Sequence, residues 1–111
     1  MIEIEITTTD AATVVVIRFD IDSKTAPELQ ERILPLITAE RPIILDMSQV
    51  AYMSSAGLRV LLTTYRRATS SNARLVLSGL SEELRDTMAA TGFLDFFVTR
   101  NNLDSALESL N

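Results

Sequence analysis

Hydrophobic and polar positions along the chain divide it into alternating strands and helices. Ile2, Ile4 and Ile6 alternate with Glu3, Glu5 and Thr7, the two-residue period of a strand with one buried face. A turn at 10–12 leads to residues 13–19, dense in valine, which reads as a more buried strand paired to the first as a hairpin. After a polar break at 20–24, Thr25 and Glu28 have the spacing of a capping box, and Pro27 suits a first helical turn. Ala26, Leu29, Ile33 and Ile37 then form one apolar face. Pro35 removes a backbone donor inside that pattern, which predicts a kink or an early end to the helix.

The apolar run 42–46 ends on Asp46, the pattern of a central strand whose C-terminal end meets a functional loop. A loop at 47–54 precedes a helix from Ser55 to about Ser70. Leu58, Leu61, Leu62 and Tyr65 are expected on its buried face, with Arg59, Arg66 and Arg67 outward. Residues 74–78 read as the next strand. Ser81 opens a helix whose first turn holds Glu82 and Glu83, where the helix dipole favours acids, and Gly92 suits its C-terminal end. Residues 93–98 are expected as a short edge strand, with Phe93, Phe96 and Phe97 covering the sheet. Asn102 should cap a last helix carrying Leu103, Ala106, Leu107 and Leu110. Strands alternating with helices imply parallel neighbours and right-handed crossovers. The expected fold is α/β: a mixed sheet of four to five strands with about four helices packed on it.

Composition narrows the chemistry. With 111 residues, 47% of them hydrophobic, the chain fits one compact domain, 1–111. A core of that size needs no disulfide or metal staple. There is no cysteine and no histidine, so thiol nucleophiles, zinc cages and Ser-His-Asp triads are excluded. Carboxylate chemistry, hydroxyl chemistry and binding stay open. Net charge is −5, and Lys24 is the lone lysine. Without a basic stripe the domain is a poor match to nucleic acid. No apolar run approaches membrane-spanning length and the acidic start is unlike a secretory signal, so a cytoplasmic location without membrane contact is expected.

Two candidate sites follow. The first is the start of the helix after the central strand, Ser54-Ser55-Ala56-Gly57. A serine there meets free backbone N–H groups, small residues allow close approach, and one serine of the pair is expected to cap the helix. The second is a cluster of Asp20, Asp22 and Asp46, which would gather if the second and third strands are neighbours. It would suit magnesium in an aspartyl phosphoacceptor or small hydrolase. A receiver-like acceptor also wants a lysine at a late strand end, and Lys24 lies at the wrong point. Acids at loop ends commonly serve as turn formers and caps instead.

The first segment resembles the STAS domain, shared by sulfate transporters and anti-sigma factor antagonists. The resemblance rests on Asp46-Met47-Ser48-Gln49-Val50 and Ser54-Ser55-Ala56-Gly57-Leu58, with residues 21–29 and Thr91-Gly92-Phe93-Leu94 in the family's order. The short chain is similar to a stand-alone bacterial antagonist. That resemblance implies a binding module, not an enzyme, with no cofactor. Its partner would be an anti-sigma factor with serine kinase activity, and a phosphatase could reverse the mark. The phosphorylated serine maps to Ser55, with Ser54 as the alternative because it stands where the family has aspartate. A partner surface of Asp22, Ser23, Met53, Ser54, Ser55, Ala56, Gly57 and Leu58 is implied, with Met53 partly exposed. A scaffold of the same fold that is never phosphorylated is the remaining reading.

Overall fold

The computed structural model describes residues 2–110, so the two ends of the expected 1–111 domain lie outside the described residues. Strands β1 (Ile4–Thr8) and β2 (Thr13–Ile17) form the antiparallel hairpin, closed at its turn by Thr9 N–H donating to Ala12 C=O at 2.9 Å. Strands β3 (Ile43–Asp46), β4 (Leu75–Ser78) and β5 (Val98–Arg100) follow in parallel, in the spatial order β1-β2-β3-β4-β5. Helices α1 (Ala26–Ile33), α2 (Ser55–Ser70), α3 (Glu82–Ala90) and α4 (Leu103–Glu108) complete the chain. The expected mixed sheet and helix number are present.

The pleat sorts the core into two layers. Val15, Leu45 and Leu77 stand in register across β2, β3 and β4, and their side chains join Leu29, Ile33, Leu61, Leu84 and Met88 from α1, α2 and α3. Val14, Ile44 and Val76 face the other way and meet Ala106 of α4. Burying an aliphatic side chain contributes roughly 1.5–3 kcal/mol, so the first and larger layer dominates stability. That layer also holds the start of α2 in place.

Four local expectations are corrected. Thr25 makes no side-chain cap on α1. Its hydroxyl donates to Asp20 C=O at 2.9 Å, while Asp22 Oδ1 accepts from the N–H groups of Lys24 and Thr25 at 2.9 and 3.1 Å. A carboxylate two and three residues upstream reaches those donors first, and Glu28 is left to accept from Ile2 N–H at 3.4 Å. Leu62 and Tyr65 are half-exposed, because the buried face of α2 is turned toward Val60, Leu61, Thr64 and Ala68. Residues 93–98 do not form the edge strand. After α3 the chain tightens into a 3-10 turn, Leu94–Phe96, and pairing begins only at Val98. Phe96 and Phe97 pack on Tyr65 instead, with ring centroids 5.4 and 5.7 Å away. The last correction is Met53, described below. Pro35, by contrast, acts as expected: α1 ends at Ile33 and Pro35 sits in a 3-10 turn, Leu34–Leu36.

Candidate functional site

Two loops meet at the C-terminal ends of the parallel strands. The segment after β2 and the segment before α2 are joined by a single-residue bridge between Ile21 and Met53. Ile21 N–H donates to Tyr52 C=O at 3.1 Å, and Ser54 N–H donates to Ile21 C=O at 2.9 Å. These bonds fix where α2 starts, so its first residues are set at the C-terminal ends of β2 and β3 by backbone, independent of side-chain chemistry.

Ser54 is the cap. Its backbone is extended (φ −81°, ψ 179°) and its Oγ accepts from Ala56 N–H at 3.2 Å. Ser55, the next residue, is exposed and makes no side-chain hydrogen bond among the described residues. The sequence left the choice of capping serine open, and the geometry resolves it: one hydroxyl holds the helix and its neighbour is unengaged. Serine keeps the capping role that an aspartate would have, without its charge. No acid stands in the first turn of α2.

Gly57 is buried against the crossing loop. A Cβ there would meet Met53 Cγ and lie 2.8 Å from Ile21 C=O and 2.9 Å from Ile21 Cγ2. The glycine is required by the close approach of the two loops, not by its own backbone angles. Met53 itself is 4% exposed and part of the core, and Leu58 is buried as well. The expectation of a partly exposed Met53 is therefore wrong. Of the expected partner surface, Met53, Gly57 and Leu58 support the site from below, whereas Ser23 and Ser55 are exposed and Asp22, Ser54 and Ala56 are half-exposed. Tyr52, which sequence reasoning passed over, is 55% exposed beside them. It stands one step out of phase with Met53, so the Ile21–Met53 bridge that buries Met53 leaves Tyr52 outward, and no local pattern in the sequence signals this.

Asp22 organises the other loop. Hydrogen bonds from Thr25 N–H first, then Lys24 N–H, hold its carboxyl below the ordinary value of 3.8. Asp46 is buried, with Oδ1 accepting from Ser48 N–H at 3.1 Å and from Ser78 Oγ at 3.5 Å. Asp20 is exposed. Of the three aspartates weighed as an alternative metal cluster, Asp22 and Asp46 accept hydrogen bonds from separate segments and Asp20 is exposed, and no group of acids placed to hold a metal ion occurs among the described residues. Nor is any described helix long and apolar enough to cross a membrane. Two shallow cavities flank the start of α2: one of about 330 Å³ beside Ser55, Leu58 and Phe93, and one of about 340 Å³ between α1 and α2 beside Ser23 and Ala56.

Comparison with known proteins bears on this geometry. The STAS domain model matches residues 3–106. An anti-sigma-B factor antagonist of Listeria monocytogenes is 33% identical over 84 residues, which span 74% of this chain and 73% of that one. The crystal structure of an anti-sigma factor antagonist from Mycobacterium paratuberculosis superposes with a TM-score of 0.86 at 26% identity, covering 99% of this chain and 94% of that one. SpoIIAA of Bacillus in its phosphorylated form shares the fold alone, with a TM-score of 0.72 at 16% identity, covering 98% of this chain and 100% of that one.

Proposed function

The chain belongs to the STAS domain family, and from that premise we propose an anti-sigma factor antagonist switched by phosphorylation of Ser55. Unmodified, it binds an anti-sigma factor that is also a serine kinase, which frees a sigma factor. Phosphate on Ser55 ends that binding, and a phosphatase restores it. The protein acts in the cytoplasm as a binding module and kinase substrate, not as an enzyme. The partner surface is Asp22, Ser23, Tyr52, Ser54, Ser55 and Ala56, with the exposed Tyr52 in place of the buried Met53.

The contrast between adjacent hydroxyls carries this reading: Ser54 Oγ is engaged by Ala56 N–H, and Ser55 is exposed and unengaged. A kinase can take the second without uncapping the helix. Phosphorylation adds about −1.5 to −2 charge at a helix start that tolerates it. A partner packed on the same surface meets bulk and desolvation instead. Binding is lost while folding is kept.

Labelling with candidate anti-sigma kinases and ATP, mapped by mass spectrometry, should place phosphate on Ser55. Ser55→Ala should lose the label with unchanged circular dichroism, and full labelling of that variant would overturn the assignment. Ser55→Asp should weaken partner binding at least tenfold, about 1.4 kcal/mol, by calorimetry. Wild-type affinity in Ser55→Asp would remove the switch while leaving the fold.

A further inference from the structure

We propose that Arg59 is the intramolecular counter-ion of a phosphate on Ser55. The proposal rests on the reading of Ser55 as acceptor. Ser55 and Arg59 stand four residues apart on α2, so their side chains lie one above the other on the same face. Both line the cavity of about 330 Å³ beside Leu58 and Phe93. Arg59 also lines the groove between α1 and α2, beside Ala26, Gln30 and Ala56, and there it is the sole charged side chain. It is exposed, and the ion pair found among the described residues is elsewhere, between Arg18 and Glu5. The guanidinium can therefore turn toward either opening.

A bare Ser55 hydroxyl has no charge to hold it. A phosphoserine has three acceptor oxygens and near neutral pH is largely a dianion, suited to a charge-assisted bond with guanidinium. Acid before base, four residues apart, is also the favourable order on a helix. Phosphorylation then changes two surfaces at once, adding charge at Ser55 and drawing the cation out of the α1–α2 groove. Asp22 and Lys24 flank Ser23, which lines the groove with Arg59, while the cavity beside Ser55 is completed by the neutral Leu62, Thr91 and Phe93.

The test uses full-length protein with phosphoserine placed at position 55 during translation, so that no kinase is needed. The second ionisation of the phosphate is followed by phosphorus NMR at low salt. Its pKa should be lower by about 0.3 unit or more with Arg59 present than in Arg59→Gln, with Arg59→Lys between them. Arg66→Gln, about 16 Å along the helix from Ser55, should match the parent. Salt near 1 M should shrink the difference. Equal values for the parent and Arg59→Gln, or an equal effect of Arg66→Gln, would overturn the pairing. Kinase labelling away from Ser55 would instead overturn the acceptor reading, and the measured pairing would stand.

Discussion

Helices α2 and α3 begin and end with the same devices yet differ in what lies between cap and core. Each starts on a serine whose Oγ accepts a backbone N–H, Ser54 from Ala56 and Ser81 from Leu84. Each closes with a left-handed residue, Asn72 at φ 56° and Gly92 at φ 80°. The following N–H returns to the carbonyl five residues back, Ala73 to Ala68 at 2.8 Å and Phe93 to Met88 at 2.9 Å. In the first turn they part. Helix α3 carries Glu82 and Glu83, which offset the positive end of its dipole, and seats Leu84 in the core. Helix α2 carries Ser55 and Ala56, and at the position matching Leu84 it has Gly57 under the crossing loop. One start is electrostatically and sterically filled. The other is left without charge or bulk, as suits the surface proposed to accept first a partner and then a phosphate.

The largest effects should come from that matched pair of inward positions. Gly57→Val would drive atoms into Ile21 C=O and Met53, and since a backbone oxygen cannot rotate away, a loss of at least about 2 kcal/mol is expected. Leu84→Ala opens a cavity and should lose about 2–5 kcal/mol. Urea unfolding measures both. A wild-type midpoint for Gly57→Val would mean that the crossing loop is not held at the start of α2, and the comparison would break at its base. Such a variant reports on the core beneath the site and is no probe of partner contact.

How much of this was legible follows from the range of the interactions concerned. The alternation of β1, the valine run of β2 and the apolar run of β3 are local patterns, and each produced its strand. Pro35 ended α1 for a reason internal to the residue. Two of the failures depended on contacts distant in sequence. Met53 reads as a loop residue until Ile21 pairs with it, and that pairing buries it. Tyr65 reads as core until Phe96 and Phe97 fold over the half-exposed side of α2. The Thr25 capping box failed to a local competitor, Asp22, equally present in the sequence but closer to the free N–H groups. Ser55 was singled out through motif order, and Arg59 was read only as an outward position because its two cavities are made by α1 and the end of α3.

The caps test whether the two starts are alike in their shared part. Ser54→Ala and Ser81→Ala should each lose about 1 kcal/mol, within a range of roughly 0.5–2. Unequal losses would show that the bonds from the Ile21 loop already hold α2 without its cap. Charge in the first turn then sharpens the contrast at smaller scale. Ser55→Asp should stabilise the fold by about 0.3–1 kcal/mol, and Glu82→Gln should destabilise it by a similar amount, both fading in high salt. Destabilisation by Ser55→Asp, read from thermal melts, would contradict a helix start able to carry phosphate.

The smallest effect concerns the third helix start. Helix α1 is entered through a carboxylate, so its stabilisation depends on pH, whereas the serine caps of α2 and α3 do not titrate. Asp22 has a folded-state pKa below its ordinary value of 3.8, chiefly through the Thr25 and Lys24 N–H bonds. Its contribution is therefore fully present above the unfolded pKa and is lost as pH falls through the lower, folded value. Asp22→Asn keeps an oxygen for those N–H groups but not the charge. The difference in melting temperature between wild type and Asp22→Asn should be largest near neutral pH, hold down to about pH 4–5, and shrink on further acidification. Differences for Ser54→Ala over the same range should stay level. A pH-independent difference for Asp22→Asn would show that hydrogen-bond geometry alone, without the charge, sets the loop that crosses the start of α2.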